Sequence, residues 1–133
     1  MYQVRKKFKF EAAHQLSSAY SKCCTANVHG HSYEVELFFR SEELNTDGMV
    51  VDFGRVKDEA GVFINAWDHA LILPPGRVNS YPSHGNVVEF SCNPTAENMA
   101  RVLFLGVKRM FPTLYKVRVH ETETGYAEYY EED

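Results

Sequence analysis

The sequence lacks most of what a secreted, membrane-spanning or disulfide-stabilised protein needs. It has three cysteines in 133 residues, and two of them, Cys23 and Cys24, are adjacent, so we expect free thiols in a reducing compartment and no disulfide framework. No apolar run approaches the roughly 18 residues of a transmembrane helix. The first residues alternate charged and apolar side chains instead of forming a secretory signal. We therefore expect a cytoplasmic protein with no membrane contact.

The charge balance argues against a nucleic-acid partner. The net charge is -4 and the pI is near 5.8, and the basic cluster at residues 5–9 lies within an alternating strand pattern. With 44% hydrophobic residues in 133, the chain is long enough for one core and too short for two. We expect a single domain covering residues 1–133.

Hydrophobic periodicity predicts a mixed α+β order. Alternation over 2–14 and 32–40 is typical of strands, whereas apolar residues at three- and four-residue intervals from Asp52 to Trp67 indicate one helix. Capping residues before Ala96 predict a second helix. The pattern also predicts an irregular connection over 73–85, a short strand at 87–90, and strands at 115–121 and 125–130.

Three histidines are the most informative residues. In an extended strand, His29 and His31 project to the same face, because side chains alternate with period two. His14 ends a strand pattern whose apolar residues share its parity. A His-x-His pair alone is usually ordinary surface or core histidine. The three together favour a zinc site with an open position, as in catalytic zinc centres.

Two further groups could carry acid–base chemistry. Cys24 is separated from His29 by four residues, and a nearby dication would lower its thiol pKa enough to make a general base, although a buried inert thiol is the plainer interpretation. His69 could move protons near neutral pH with its tautomer fixed by Asp68, or the pair could simply cap a helix end.

Three residues near the ends of predicted elements could bind a polar ligand. Glu121 is an acid on an otherwise apolar strand, and a carboxylate can accept two parallel N–H bonds from a heterocycle with an exocyclic amine. A solvated strand carboxylate would look the same in the sequence. Thr95 and Glu97 stand at the start of the second helix, where they could equally serve as its cap.

Six short blocks, taken in order along the chain, resemble the family of 6-pyruvoyl-tetrahydropterin and 6-carboxytetrahydropterin synthases. Each block alone is a weak signal, but six in sequence over nearly the whole chain are specific. The blocks are Phe10-Glu11-Ala12-Ala13-His14, Cys24 followed by His29-Gly30-His31-Ser32-Tyr33, Met49-Val50-Val51-Asp52-Phe53, Asp68-His69, Pro94-Thr95-Ala96-Glu97-Asn98 and His120-Glu121-Thr122.

The resemblance implies a fold and a metal site. The fold is α+β, the tunnelling fold, with an antiparallel four-stranded sheet and two helices on one face, assembled into trimeric barrels and commonly hexamers. The resemblance also implies that His14, His29 and His31 hold Zn²⁺, that the metal binds the side-chain hydroxyls of 7,8-dihydroneopterin triphosphate, and that Glu121 anchors the pterin ring.

The remaining roles follow from the same resemblance. Cys24 would be the catalytic base, with Cys23 as the alternative because the two thiols satisfy different spacings to the histidine pair. Asp68 would orient His69 for proton transfer on the other side of the substrate, and Thr95 and Glu97 would line the pocket.

Three functions are consistent with this resemblance. The first is a zinc-dependent lyase, 6-carboxytetrahydropterin synthase, which releases acetaldehyde and triphosphate on the route to queuosine and other deazapurines. The second is 6-pyruvoyl-tetrahydropterin synthase, which uses the same substrate and metal. The third is a non-catalytic zinc and pterin-binding module, which would need neither the thiol nor the Asp-His pair.

Overall fold

The computed structural model describes residues 1–18, 20, 27–81 and 85–132. They form one mixed sheet with helices packed on one side. The elements are β1 (Tyr2–His14), β2 (His29–Ser41), α1 (Phe53–Glu59), α2 (Gly61–Asn65), β3 (Ala70–Leu73), a 3₁₀ turn (Val78–Ser80), β4 (Val87–Glu89), α3 (Ala96–Lys108), β5 (Leu114–His120) and β6 (Tyr126–Tyr130).

The sheet has six strands in the order β4-β3-β1-β2-β5-β6. The expectation of a four-stranded antiparallel sheet is therefore wrong in strand number and direction. The pairs β1–β2, β2–β5 and β5–β6 are antiparallel, as expected, but β3 runs parallel to β1 and β4 runs parallel to β3. The short apolar run Ala70–Leu73 is fully buried, and such runs suit a parallel strand covered on both faces.

The two ends of the sheet leave long open edges. β3 pairs with β1 only at Ala12, Ala13 and His14, so within the described residues no strand covers the outer edge of residues 2–11. β6 pairs with β5 on one side and has no strand on its other side within the described part of the chain. Open edges of this kind present unpaired backbone N–H and C=O groups to a further strand.

Two of the three described helices begin at side-chain caps. Asp52 accepts hydrogen bonds from the N–H groups of Gly54 and Arg55 at the start of α1. The single helix predicted from Asp52 to Trp67 is two short helices, α1 and α2, which meet at Ala60. Thr95 caps α3, as predicted, by accepting from the N–H of Asn98 at 3.2 Å.

One core lies between the helices and the sheet face that carries the histidines. Phe10 and Tyr33, on neighbouring strands, stack with ring centroids 4.7 Å apart. Trp67, just beyond α2, packs edge-on against Phe10 at 5.9 Å. Because His14 and His31 alternate with the same parity as Phe10 and Tyr33, the apolar face leads directly into the histidine site.

The opposite face of the sheet carries charges arranged by strand. Glu36 is only 4% exposed, and its carboxylate lies 3.4 Å from Arg118 and 3.7 Å from Arg5. Arg118 also donates to Glu128 at 2.7 Å. Basic and acidic strands therefore alternate across this face. β1 contributes Arg5, Lys7 and Lys9, β2 contributes Glu34 and Glu36, β5 contributes Lys116 and Arg118, and β6 contributes Glu128.

The structure bears on the membrane prediction in one respect. Across residues 1–18, 20, 27–81 and 85–132, no helix combines the length and the apolar character needed to cross a bilayer.

Candidate metal centre

Three imidazoles and a carboxylate converge at one end of the sheet. The potential ligand atoms of His14, His29, His31 and Glu121 all lie within 4.8 Å of one another. β1 and β2 bring the histidines together, because His14 pairs with His29 in the antiparallel register and Ala12 pairs with His31. The three predicted metal ligands therefore meet on one face, as the period-two pattern of the strands requires.

His14 is oriented by a contact with a distant turn. Its Nδ1 lies 2.8 Å from the carbonyl oxygen of Pro94, and the side chain is 1% exposed. A carbonyl only accepts hydrogen bonds, so Nδ1 carries the proton and Nε2 presents its lone pair to the site. That Nε2 lies 2.9 Å from Nε2 of His29. Two nitrogen ligands of a tetrahedral zinc are about 3.3 Å apart, so a small separation of the rings would admit the ion.

Glu121 joins the site from β5. It follows the last residue of that strand and has the parity of Val117 and Val119, which face the core. Its Oε1 lies 3.1 Å from Nε2 of His31. These two atoms are not aligned for a hydrogen bond, and the buried Nε2 has no hydrogen-bond partner among the described residues. Such a nitrogen is suited to a metal ligand.

Burial favours the neutral form of two of the imidazoles, His14 and His31. Desolvation lowers the pKa of His14, outweighing the hydrogen bond to Pro94 and the charge of Glu121, which both act to raise that pKa. Desolvation is also the largest cause of the lowered pKa of His31, again against the opposing charge of Glu121. Neutral imidazole is the form that binds metals, so the lowered pKa of these two histidines favours cation binding.

The donor set fits zinc. Three imidazole nitrogens and one carboxylate oxygen are ligands that Zn²⁺ accepts in tetrahedral geometry. His14, His29 and His31 would hold the ion, and Glu121 is close enough to be a fourth ligand or to give way to a substrate oxygen. Imidazole also suits other transition metals, so the donors define a class of cation and leave its identity to experiment.

Two cavities adjoin the group of candidate ligands, one at Glu121 and the other at His31. One, of about 570 Å³, is lined by Glu121 and by Glu97, which stands in the first turn of α3. The other, of about 440 Å³, is lined by His31, His69 and Glu11. Among the predicted site residues, His31, His69, Glu97 and Glu121 therefore lie on the wall of one of these cavities, whereas Thr95 and Asp68 line neither. Both volumes are of the size that small-molecule ligands occupy.

The Asp68–His69 pair is held against β1. His69 has φ of 56°, a left-handed backbone conformation, and its N–H donates to the carbonyl of Glu11 at 2.6 Å. Asp68 Oδ1 accepts from the N–H of Glu11 at 2.9 Å. The imidazole itself is 81% exposed, and its Nε2 lies 3.7 Å from Asp68 Oδ2, which is too far for a hydrogen bond. Strained backbone of this kind is concentrated at functional sites.

The structure describes one of the three cysteines. Cys23 and Cys24 lie outside the described residues. Cys92 is half-buried and packs against the core, a position that suits a small apolar side chain.

Two contacts at the site were not predicted from the sequence. The Pro94 carbonyl orients His14 from 80 positions away, a pairing that no local pattern reveals. The carboxylate of Glu11 accepts a 2.6 Å hydrogen bond from the hydroxyl of Ser32. An acid and a hydroxyl on the polar parity of adjacent strands could have suggested that pair, because directly opposed side chains interact.

Comparison with known proteins identifies the family. A sequence profile described as 6-pyruvoyl tetrahydropterin synthase matches residues 3–132. The chain belongs to this family. A relative from Helicobacter pylori, strain J99, named 6-carboxy-5,6,7,8-tetrahydropterin synthase, is 33% identical over 146 residues, covering 98% of this chain and 73% of the relative. A relative from Aquifex aeolicus with the same name is 30% identical, covering 98% and 99% of the two chains.

Solved structures of the 6-pyruvoyl tetrahydropterin synthase family share the fold. The enzyme from Caenorhabditis elegans superposes with a TM-score of 0.78 at 27% identity, covering 98% of this chain and 96% of that one. The enzyme from Plasmodium falciparum has a TM-score of 0.72 at 17% identity over 98% and 97% of the two chains, a likeness of fold alone. The α+β fold predicted by the family resemblance is confirmed.

Proposed function

We propose that the protein is a zinc-dependent 6-carboxytetrahydropterin synthase. It would convert 7,8-dihydroneopterin triphosphate and one water molecule to 6-carboxy-5,6,7,8-tetrahydropterin with release of acetaldehyde and triphosphate, on the route to queuosine and other deazapurines. The names of the relatives from Helicobacter pylori and Aquifex aeolicus support this product. The observation that carries the proposal is the convergence of His14, His29, His31 and Glu121 beside two cavities.

The three histidines would hold Zn²⁺ next to the substrate. Bound there, zinc supplies Lewis-acid stabilisation of negative charge that develops on a substrate oxygen. His14 and His31 contribute neutral nitrogen donors, because burial disfavours their protonation. The Pro94 carbonyl holds the His14 ring with Nε2 directed into the site. These residues would therefore fix where the side-chain hydroxyls of the substrate are bound.

The carboxylates would bind the pterin. Glu121 and Glu97 line the same cavity of about 570 Å³, and a carboxylate can accept parallel N–H bonds from a ring N–H and an exocyclic amine. Because Glu121 is 3.1 Å from His31, the same carboxylate would contact both the metal side and the ring side of the cavity. Thr95 supports the arrangement by capping α3, whose first turn carries Glu97.

Proton transfer would fall to Cys24 and His69. His69 is largely exposed and shares a cavity with His31, so a ligand bound at the histidines could reach it. Asp68 would act mainly by fixing the loop, since its Oδ1 binds the N–H of Glu11. Cys24 is assigned as the base from the family resemblance, with Cys23 as the alternative, and a cation nearby would favour its thiolate.

The open edges of the sheet support a homo-oligomer. β6 and residues 2–11 of β1 both present unpaired edges among the described residues, and joining the edge of one copy to that of the next would close a ring. This is the trimeric or hexameric barrel implied by the family resemblance. The 81% exposed His69 would then be available to a neighbouring subunit.

The proposal is tested by product identification. Purified, zinc-loaded protein is incubated with 7,8-dihydroneopterin triphosphate, and the products are identified by mass spectrometry. We expect 6-carboxytetrahydropterin and acetaldehyde. A 6-pyruvoyl product would instead establish the second function, which the family profile favours. Binding of metal and pterin without turnover would establish the non-catalytic module.

A variant pair separates catalysis from binding. Cys24→Ala is expected to abolish turnover and leave zinc affinity unchanged, whereas His29→Ala is expected to lower both. His69→Asn keeps a residue that tolerates the left-handed backbone at this position and removes the imidazole, so folding should be retained while turnover falls. Full turnover by both Cys24→Ala and His69→Asn would contradict the proposed acid–base roles.

A further inference from the structure

The turn that carries Pro94 is tied to the segment following β1. The side-chain Oδ1 of Asn93 accepts two hydrogen bonds from Ser17, one from its backbone N–H and one from its hydroxyl, each at 2.8 Å. Ser17 follows His14 by three positions, and Asn93 immediately precedes Pro94. Asn93 therefore joins the two segments whose contact orients the His14 ring.

The same turn is tied to the first turn of α3. The backbone carbonyl of Asn93 accepts a hydrogen bond from the side-chain amide of Asn98 at 2.9 Å and another from the N–H of Thr95 at 2.9 Å. The N–H of Asn98 in turn donates to Thr95 Oγ1 at 3.2 Å. Pro94 is buried, and its ring restricts its own φ. The Pro94 carbonyl thus lies between a fixed peptide and a capped helix.

From these contacts we infer that Asn93 and Asn98 are positioning residues for the metal site, acting on His14 through the Pro94 carbonyl. The inference rests on the proposed metal function and assigns residues outside the ligand group. A hydrogen bond to the non-ligating nitrogen of an imidazole sets its tautomer and orientation and increases its basicity. The carbonyl can do this only if the turn that carries it stays in place, and Asn93 and Asn98 supply the side-chain contacts that hold it.

The competing explanation is purely structural. Asn93 and Asn98 could serve only to close the loop and cap α3, in which case their replacement would lower stability and leave metal affinity unchanged. The structure offers a control for this case. Asp52 caps α1 by accepting hydrogen bonds from the N–H groups of Gly54 and Arg55, and none of these three residues belongs to the ligand group. Asp52→Ala should lower the free energy of unfolding by an amount similar to that expected for the asparagine replacements.

The first test uses Asn93. Zn²⁺ affinity is measured by chelator competition on the full chain. Asn93→Ala is expected to weaken zinc binding by about 10- to 100-fold, the usual effect of removing an outer hydrogen-bond partner. Asn93→Asp keeps an acceptor oxygen for both Ser17 bonds and is expected to bind within about threefold of wild type. Asp52→Ala is expected to bind as wild type does.

The second test uses Asn98. Asn98→Asp removes the N–H donor to the Asn93 carbonyl but places an acid in the first turn of α3, where it interacts favourably with the helix dipole. Zinc affinity is therefore expected to fall while thermal stability is retained. A purely structural role predicts the opposite result, unchanged affinity. Cobalt substitution adds a spectrum: a changed d–d absorption in Asn93→Ala, restored in Asn93→Asp, reports ligand geometry directly.

The outcomes separate this inference from the proposed function. If the wild-type protein binds no zinc, the proposed function fails. If wild type binds zinc and Asn93→Ala and Asn98→Asp bind it equally well, the positioning role alone is wrong. An affinity loss in Asp52→Ala equal to that in Asn93→Ala would also overturn the inference, because the effect would then follow from stability.

Discussion

Replacing His14 by alanine tests the metal centre at its most buried ligand. His14 is 1% exposed, and the change removes its Nε2 from the ligand group as well as the donor to the Pro94 carbonyl. The apo protein should lose stability, since a buried carbonyl left without a donor costs about 1–3 kcal/mol. The loss of metal affinity should be larger than this structural effect.

The size of that loss follows from the number of ligands. Structural zinc sites with four protein ligands bind with about 10–16 kcal/mol, or roughly 2.5–4 kcal/mol per ligand. At about 1.4 kcal/mol per factor of ten, losing one ligand weakens binding by about 60- to 700-fold. With three histidines and Glu121 in the group, loss of His14 leaves only three candidate ligands.

Thermal unfolding with and without zinc measures the effect. At a free zinc concentration 100 times the wild-type Kd, binding stabilises the native state by about 2.7 kcal/mol. In a domain of this length each kcal/mol raises Tm by roughly 3–4 °C, so wild type should gain about 10 °C. His14→Ala, with a Kd raised at least about 60-fold, should gain at most about 2 °C.

The matched control is a histidine on the other face of the sheet. His120 lies on β5 with its Nε2 3.2 Å from Glu36 and takes no part in the ligand group, so His120→Ala should keep the full zinc shift. The reasoning would be refuted if His14→Ala retained the shift seen in wild type. It would also be refuted if His120→Ala lost as much of the shift as His14→Ala.

Three further predictions concern the same region. Glu121→Gln removes the charge beside His31 and should weaken zinc binding by about tenfold in chelator competition; unchanged affinity would place the carboxylate outside the coordination sphere. Because burial lowers the folded-state pKa of His14 and His31, the unfolded chain binds protons first, so apo stability in urea titrations should fall as pH drops below about 6.5, and a flat profile would contradict the assigned burial. Thr95→Ala should cost about 1 kcal/mol in the same titrations, with Thr95→Ser recovering most of it.

The strands that carry the metal ligands could be predicted because local pattern and tertiary environment agree. Alternation in β1 and β2 reflects one buried face, and that face extends to His14, His29 and His31. The start of α3 could also be predicted, since Thr95 caps it through a hydrogen bond to a residue only three positions away. Where the contacts that define an element involve residues close together in the chain, the sequence predicts both the element and the functional residues that it carries.

The rest depended on contacts that sequence separation conceals. The short strand predicted at 87–90 is present as β4, but β3, which connects it to the rest of the sheet, was missed because a four-residue buried run has no alternation to mark it as a strand. The single helix predicted from Asp52 breaks at Ala60, where apolar spacing continues although the helix does not. Glu121 lies beside His31 although the two residues are 90 positions apart in the chain. Such placements follow from sheet order, which the pattern left open.

On the sheet face opposite the histidines, β1 carries basic side chains and β6 carries an acidic one, so the two open edges of the sheet differ in charge. Two copies joined through β6 on both sides would bring Glu128 near its own counterpart, and two copies joined through β1 would do the same with Lys7 and Lys9. Joining β6 of one copy to β1 of the next instead sets acid beside base and continues the alternation across the seam. In the homo-oligomer proposed above, like-charge repulsion would therefore disfavour symmetric pairs and favour head-to-tail association, the polarity from which closed rings are built.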